Sequence, residues 1–281
     1  MRRFAFAFAV LAATWTQPAA AQQYPWQHLP PTPVLPTPAH AGIAAVNGIR
    51  LWYAVYGHGD PVILVHGGLA NSDYWGRQIP VLAQRYQVIV LDSRGHGRST
   101  RTAAPIGYDV MASDVLALMD TLHLGRAALV GWSDGAIIGL DIAIHHPERL
   151  TRLFAFAANS DPSGVKDVDK SPVFTAYISR AAGEYAKLSP TPTQFKAFLD
   201  DISRMWASEP HFTAAELRGI MVPTWIVDAD HDEAIKRENT DYMASLIPGA
   251  GELILPGVSH FAFLQDPAMF NAALLRFLGR D

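Results

Sequence analysis

The sequence predicts an α/β fold: a mostly parallel sheet flanked by helices, with a short helical lid inserted after the sixth strand. Three observations predict it. Apolar, strand-like runs alternate with helix-period segments along most of the chain, the pattern of a parallel sheet covered on both faces. The series opens on a hairpin signal, Asn47-Gly48 inside the alternating stretch Ile43–Tyr56. Near the middle, Ala128–Leu140 (ALVGWSDGAIIGL) passes from an apolar run through Gly131-Trp132-Ser133-Asp134-Gly135 into a small-residue helix. The 281 residues, 49% hydrophobic and 17% charged, are enough for one large core.

In chain order, residues 1–21 read as a secretory signal peptide. Arg2 and Arg3 precede the apolar run Phe4–Ala13, and Ala19-Ala20-Ala21 offers a cleavage site. The arginine pair hints at a twin-arginine route, which the surrounding residues fit poorly. Residues 22–42 carry Pro25, Pro30, Pro31, Pro33, Pro36 and Pro38, an extended arm that cannot form a helix. Residues 43–158 and 219–281 are expected to form the core. After the hairpin, strands are expected at Pro61–Val65, Gln87–Leu91, Ala127–Val130, Leu150–Ala157, Pro223–Asp228 and Gly251–Leu255. Helices are expected at Tyr74–Arg85, Asp109–His123, Ala136–His145, Glu238–Leu246 and Pro267–Leu278. Residues 159–218 are more polar and cut by prolines into short helical pieces, an inserted lid.

The composition excludes several functions. With no cysteine, thiol catalysis, disulfides and iron–sulfur sites are out. A formal charge of −4 with scattered Lys and Arg argues against nucleic acid. Beyond the N-terminus no apolar run approaches about 18 residues, so no membrane span is expected in the mature chain. The partner expected is a small molecule, the location secreted or periplasmic, and no cofactor is called for.

G-x-S-x-G in a strand–turn–helix setting is the nucleophile elbow: the glycines allow a sharp reversal that holds Ser133 at the tip. An alcohol is a poor nucleophile at neutral pH and needs a base, which itself needs orienting. Downstream lie His145, His146, His211, His231 and His260. His260, in PGVSHF between the last strand and last helix, falls at the same sheet edge as Ser133. His145 and His146 read as charges at a helix C-terminus. The acid is expected after strand Pro223–Asp228, in Asp228-Ala229-Asp230-His231-Asp232. Asp228 closes the strand and Asp230 is exposed in the turn, which leaves Asp232. A metal loop is the alternative, but the calcium-loop spacing is missing. The oxyanion hole needs two backbone N–H groups: Asp134 at a helix start, and Gly68 or Leu69 after the third strand.

Over Ile43 to Leu278 the chain resembles the α/β-hydrolase superfamily. The matching stretches are HGGLANSDYW (His66–Trp75), LDSRGHGRS (Leu91–Ser99), GWSDGA, VDADHDEAI (Val227–Ile235) and PGVSHF. Within the superfamily it is most similar to the valacyclovirase-like (biphenyl-hydrolase-like) group, which has GWSDGG at the nucleophile and a short helical lid. Ala229 stands where that group's acid loop has glycine, and the alignment again selects Asp232. The resemblance implies that Asp134 binds a substrate amine. A plainer reading has Asp134 point away and stabilise its helix N-terminus by about 0.3–1 kcal/mol. Arg94, Gly95 and His96 read as loop support. Phe174, Tyr177, Tyr185, Phe195, Phe198 and Trp206 either wall an apolar pocket or pack the lid onto the sheet.

These residues predict a serine hydrolase of a small ester, amide or lactone, working through an acyl-enzyme. The alternatives are carbon–carbon bond hydrolysis or cofactor-free perhydrolysis on the same triad, or a ligand-binding protein on a hydrolase scaffold. A dehalogenase is disfavoured, since Ser133 stands where a carboxylate nucleophile would be needed.

Overall fold

The computed structural model describes residues 24–279. The expected signal peptide and its cleavage site lie outside the described residues. The hairpin forms as its turn chemistry dictates. β1 (His40–Val46) and β2 (Ile49–Tyr56) pair antiparallel, with Val46 opposite Ile49. Asn47 and Gly48 both adopt positive φ, 43° and 77°, as a type I′ turn requires.

β3 (Asp60–Val65), β4 (Tyr86–Leu91), β5 (Ala127–Trp132), β6 (Leu150–Phe156), β7 (Thr224–Ala229) and β8 (Gly251–Leu255) complete one eight-stranded sheet in the order β1-β2-β4-β3-β5-β6-β7-β8. β2 meets β4 antiparallel; from β4 to β8 every pairing is parallel. β5 is buried along its whole length between β3 and β6. That explains its unbroken apolar run, since a strand covered on both faces has no polar side to show. The sheet reverses strand order around β3–β5, where open α/β sheets place their ligand crevice at the strands' carboxyl ends.

The stretch Tyr74–Arg85, expected as a helix, is instead a 3₁₀ segment (Ser72–Arg77) followed by one α turn, α1 (Ile79–Leu82). Pro80 suits a helix's first turn and not its interior. Gly76 lies under the arm: a Cβ there would sit 2.7 Å from Pro33. The other core helices are α2 (Tyr108–Thr121) and α3 (Asp134–His145). Between β6 and β7 come α4 (Pro172–Leu188), α5 (Phe195–Ser208) and α6 (Ala214–Gly219). α4 and α5 are longer than proline-cut pieces. Pro172 opens α4 and Pro192 opens a 3₁₀ turn ahead of α5, so these prolines start helices and do not interrupt them. α7 (Arg237–Leu246), α8 (Ala262–Gln265) and α9 (Pro267–Leu278) complete the chain.

The core is continuous across the sheet. Trp132, Phe154, Phe156, Phe263 and Phe270 are fully buried, with ring centroids 4.7 Å apart for Trp132–Phe263 and 5.2 Å for Phe156–Phe270. Buried Arg94 makes two hydrogen bonds to buried Asp114, 2.8 and 2.7 Å, which accounts for the Arg94–His96 loop as support. Among the described residues no helix is long and apolar enough to cross a membrane, and no three His, Cys, Asp or Glu side chains stand together to hold a metal.

Candidate active site

Where β5 ends, the chain reverses within three residues. Ser133 adopts φ 54°, ψ −120°, a strained conformation for a residue with a Cβ. The reversal is possible only with hydrogen at both flanking positions. A Cβ on Gly131 would lie 2.3 Å from the Gly135 carbonyl, and one on Gly135 would lie 2.1 Å from that of Val65. The Ser133 amide donates to Phe156 O at 2.8 Å, and its carbonyl accepts from Ala136 and Ile137, which anchors the turn at both ends. Trp132, beneath it, packs 5.7 Å from the His260 ring.

His260 and Asp232 come together as the sequence predicts. Nδ1 of the imidazole is hydrogen-bonded to Asp232 Oδ2 at 2.8 Å, and both side chains are buried. The other oxygen, Oδ1, accepts the amides of Ala234 and Ile235 at 2.7 Å each, so the carboxylate is fixed from two sides. Burial alone would raise the Asp232 pKa; the His260 charge and these amides outweigh it and hold the carboxyl below its usual range. Burial likewise disfavours the imidazolium, but Asp232, Glu233 and Asp228 together raise His260 above the ordinary histidine value. Asp228 closes β7 and accepts from Thr240 Oγ1 and the Ala229 amide; burial and the Asp232 charge push it up to about 8. Asp230 is exposed and caps the Gly257 amide. Among the described residues, Asp232 is the only hydrogen-bond partner of the His260 ring, and Ser133 Oγ makes no hydrogen bond to it. In free enzymes that link is often long and tightens when substrate enters.

Gly68 and Leu69 follow β3 as expected. Their amides, and that of Asp134, donate to no acceptor among the described residues. Tyr177 on α4 donates its hydroxyl to the Gly68 carbonyl, and Leu69 holds φ 65°. The Asp134 carboxylate turns toward this loop: a Cβ on Gly68 would lie 2.4 Å from Asp134 Oδ2. It is buried and accepts from Trp206 Nε1 (2.9 and 3.1 Å) and from Tyr108 Oη (3.1 Å). Burial, only partly offset by these two donors and the His260 charge, raises its pKa to about 6.

A cavity opens beside the serine. Ser133, Asp134, Tyr108 and Glu209 give it polar atoms, and Phe174 and Trp206 give it apolar walls. No Lys, Arg or His lines it among the described residues. The aromatics of residues 159–218 divide between the two roles foreseen. Phe174 and Trp206 face the cavity, whereas Tyr185 packs on Phe195 and Phe198 at 5.6 and 5.2 Å. Sequence reasoning did not single out Tyr108, Glu209 or Glu233. Glu233 accepts the His260 amide at 3.0 Å and the Ser259 hydroxyl at 3.3 Å. Its place directly after Asp232 was the one available signal; Tyr108 carried none.

Comparison with known proteins agrees with this architecture. The alpha/beta hydrolase fold family matches residues 60–175. A putative carbamate hydrolase RutD of Azorhizobium caulinodans is 29% identical over 86% of this chain and 97% of its own. A 2-hydroxy-6-oxo-6-(2'-aminophenyl)hexa-2,4-dienoic acid hydrolase of Metapseudomonas resinovorans is 25% identical over 83% of this chain and 89% of its own. The crystal structure of CarC, a serine hydrolase involved in carbazole degradation, superposes with a TM-score of 0.74 at 24% identity, covering 85% of this chain and 98% of that one. The sheet order, the elbow between β5 and α3 and these matches agree on one architecture: the chain has the α/β-hydrolase fold, and residues 60–175 match that fold family.

Proposed function

We propose that the protein is a serine hydrolase of small esters, amides (carbamates included) or lactones, with Ser133 as nucleophile, His260 as base and Asp232 as orienting acid. The observation that carries this reading is the 2.8 Å Asp232–His260 hydrogen bond beside the strained Ser133 turn. In this mechanism Ser133 Oγ attacks the carbonyl carbon as its proton passes to His260 Nε2. The amides of Asp134 and of Gly68 or Leu69 hold the oxyanion, at about 2.7–4 kcal/mol for one such donor. His260 then protonates the leaving group, and water, deprotonated by the same imidazole, releases the acyl group.

The cavity supports a substrate class. With Asp134 and Glu209 present and no cation among its described lining residues, it favours neutral or amino-bearing acyl groups over carboxylates. The Metapseudomonas relative is named a hydrolase of a dienoic acid, and this lining offers such an anion no partner. Carbon–carbon hydrolysis and perhydrolysis thus rank behind acyl hydrolysis. Helices α4 and α5 are read as a lid over the cavity. The N-terminal pattern of Arg2, Arg3 and Phe4–Ala21 supports export, testable by N-terminal sequencing of the mature protein, which should begin at Gln22.

A panel of p-nitrophenyl acyl and aminoacyl esters across chain length tests the function. Turnover of short esters that Ser133→Ala lowers by more than about 10³-fold is expected. Turnover unaffected by that substitution would remove Ser133 as the nucleophile, and no turnover with tight ester binding would replace the enzyme with the binding-protein alternative.

A further inference from the structure

The proline-rich arm touches the acid loop, the segment that follows His260 and helix α4. At its start the Tyr24 ring stacks on Trp26 at 4.3 Å, and Trp26 stacks on His231 at 3.9 Å with planes 8° apart. His231 is the residue before Asp232. Next, the His28 carbonyl accepts from Gln265 Nε2 at 3.0 Å, while Gln265 Oε1 takes the Ser259 amide at 2.7 Å, one residue before His260. The carbonyls of Leu29 and Pro30 accept the Arg180 guanidinium of α4 at 3.0 and 2.6 Å. Thr32 donates to Glu184 of α4, whose second oxygen accepts Asn71 Nδ2 at 3.1 Å, two residues past Leu69. Beyond this the arm joins the sheet, with the Ala39 amide on Val55 O at 2.9 Å.

On α4, Phe174, Tyr177, Arg180 and Glu184 follow at three- and four-residue steps, so they share one helix face. Phe174 walls the cavity and Tyr177 holds Gly68; Arg180 and Glu184 take the arm. We propose that residues 24–39 are a strap that fixes α4 over the cavity and steadies the acid and histidine loops, with Arg180 as its anchor. The prolines suit this task. A segment already extended in solution loses little conformational freedom on docking, and its free carbonyls are the acceptors an arginine fork needs.

The strap's consequence for catalysis rests on the proposed roles of Ser133, His260 and Asp232; its mechanical role does not. The test is therefore amide hydrogen exchange on the full chain, native against Arg180→Met. Exchange in α4 should quicken at least about tenfold, the order expected from losing the two charge-assisted hydrogen bonds of Arg180, while β5 is unchanged. In the ester assay, KM should rise more than kcat falls, because Phe174 loses its fixed place. A second chain, with residues 24–38 replaced by a Gly/Ser segment of equal length, should behave alike. Native-like exchange in α4 of Arg180→Met, or equal acceleration of α4 and β5, overturns the proposal. If the exchange result holds but Ser133→Ala leaves hydrolysis intact, the strap stands and the catalytic assignment falls.

Discussion

Trp206 on α5 donates its indole N–H to both carboxylate oxygens of Asp134, at 2.9 and 3.1 Å, across 72 residues of sequence. The residue next to Ser133 is thereby tied to α5. Asp134 also keeps its carboxylate on the cavity wall and turned to the Gly68 loop, so the reading in which it points away from the site does not hold.

Asp134→Asn should separate acyl from aminoacyl substrates. Loss of one charge-assisted contact lowers kcat/KM on aminoacyl esters by about 10–100-fold, and acetyl esters should change little. Because Asp134 titrates near 6, the native preference for aminoacyl esters should also fade as pH drops through that value. Equal loss on both ester classes would remove the amine-binding role.

Asp228 governs an alkaline weakness. Its pKa is raised by burial and by Asp232 to about 8, so the folded protein retains a proton that the unfolded chain gives up. The stability this contributes is complete below the ordinary aspartate pKa and is lost progressively as pH rises toward 8. Asp228→Asn keeps the shape without the charge, so its melting temperature should decline less between pH 5 and about 9. A gain on the order of 1 kcal/mol over native at the upper end is expected, and parallel melting profiles would contradict it.

The elbow and its partners were legible because local rules create them. Gly131 and Gly135 are needed wherever a strand turns into a helix this tightly, and Asp232 and His260 sit at strand ends that apolar runs mark plainly. Asp134's partners were not legible. Tyr108 and Trp206 lie 26 and 72 positions away and meet it only in the folded molecule. The arm's prolines announced extended chain, but not that its carbonyls would meet Arg180. Within Tyr74–Arg85, the apolar spacing masked Gly76 and Pro80, which divide the segment in two.

Glu233 adds charge behind His260. Glu233→Gln retains an oxygen for the His260 amide but removes one of the carboxylates that raise the imidazole pKa. In the proposed mechanism hydrolysis needs neutral His260, so the acid limb of the pH–kcat/KM profile should move to lower pH by a fraction of a unit. An unmoved limb with lower kcat would make Glu233 a purely structural support.

In the proposed mechanism His260 and Asp232 activate Ser133. The most direct measurement of that activation is the rate and site of fluorophosphonate labelling, read by peptide mass. One adduct per chain is expected, on Ser133, formed at least about 100-fold more slowly in Asp232→Asn, where the imidazole loses its orienting partner. A native protein that stays unlabelled, or an adduct on another residue, would contradict it.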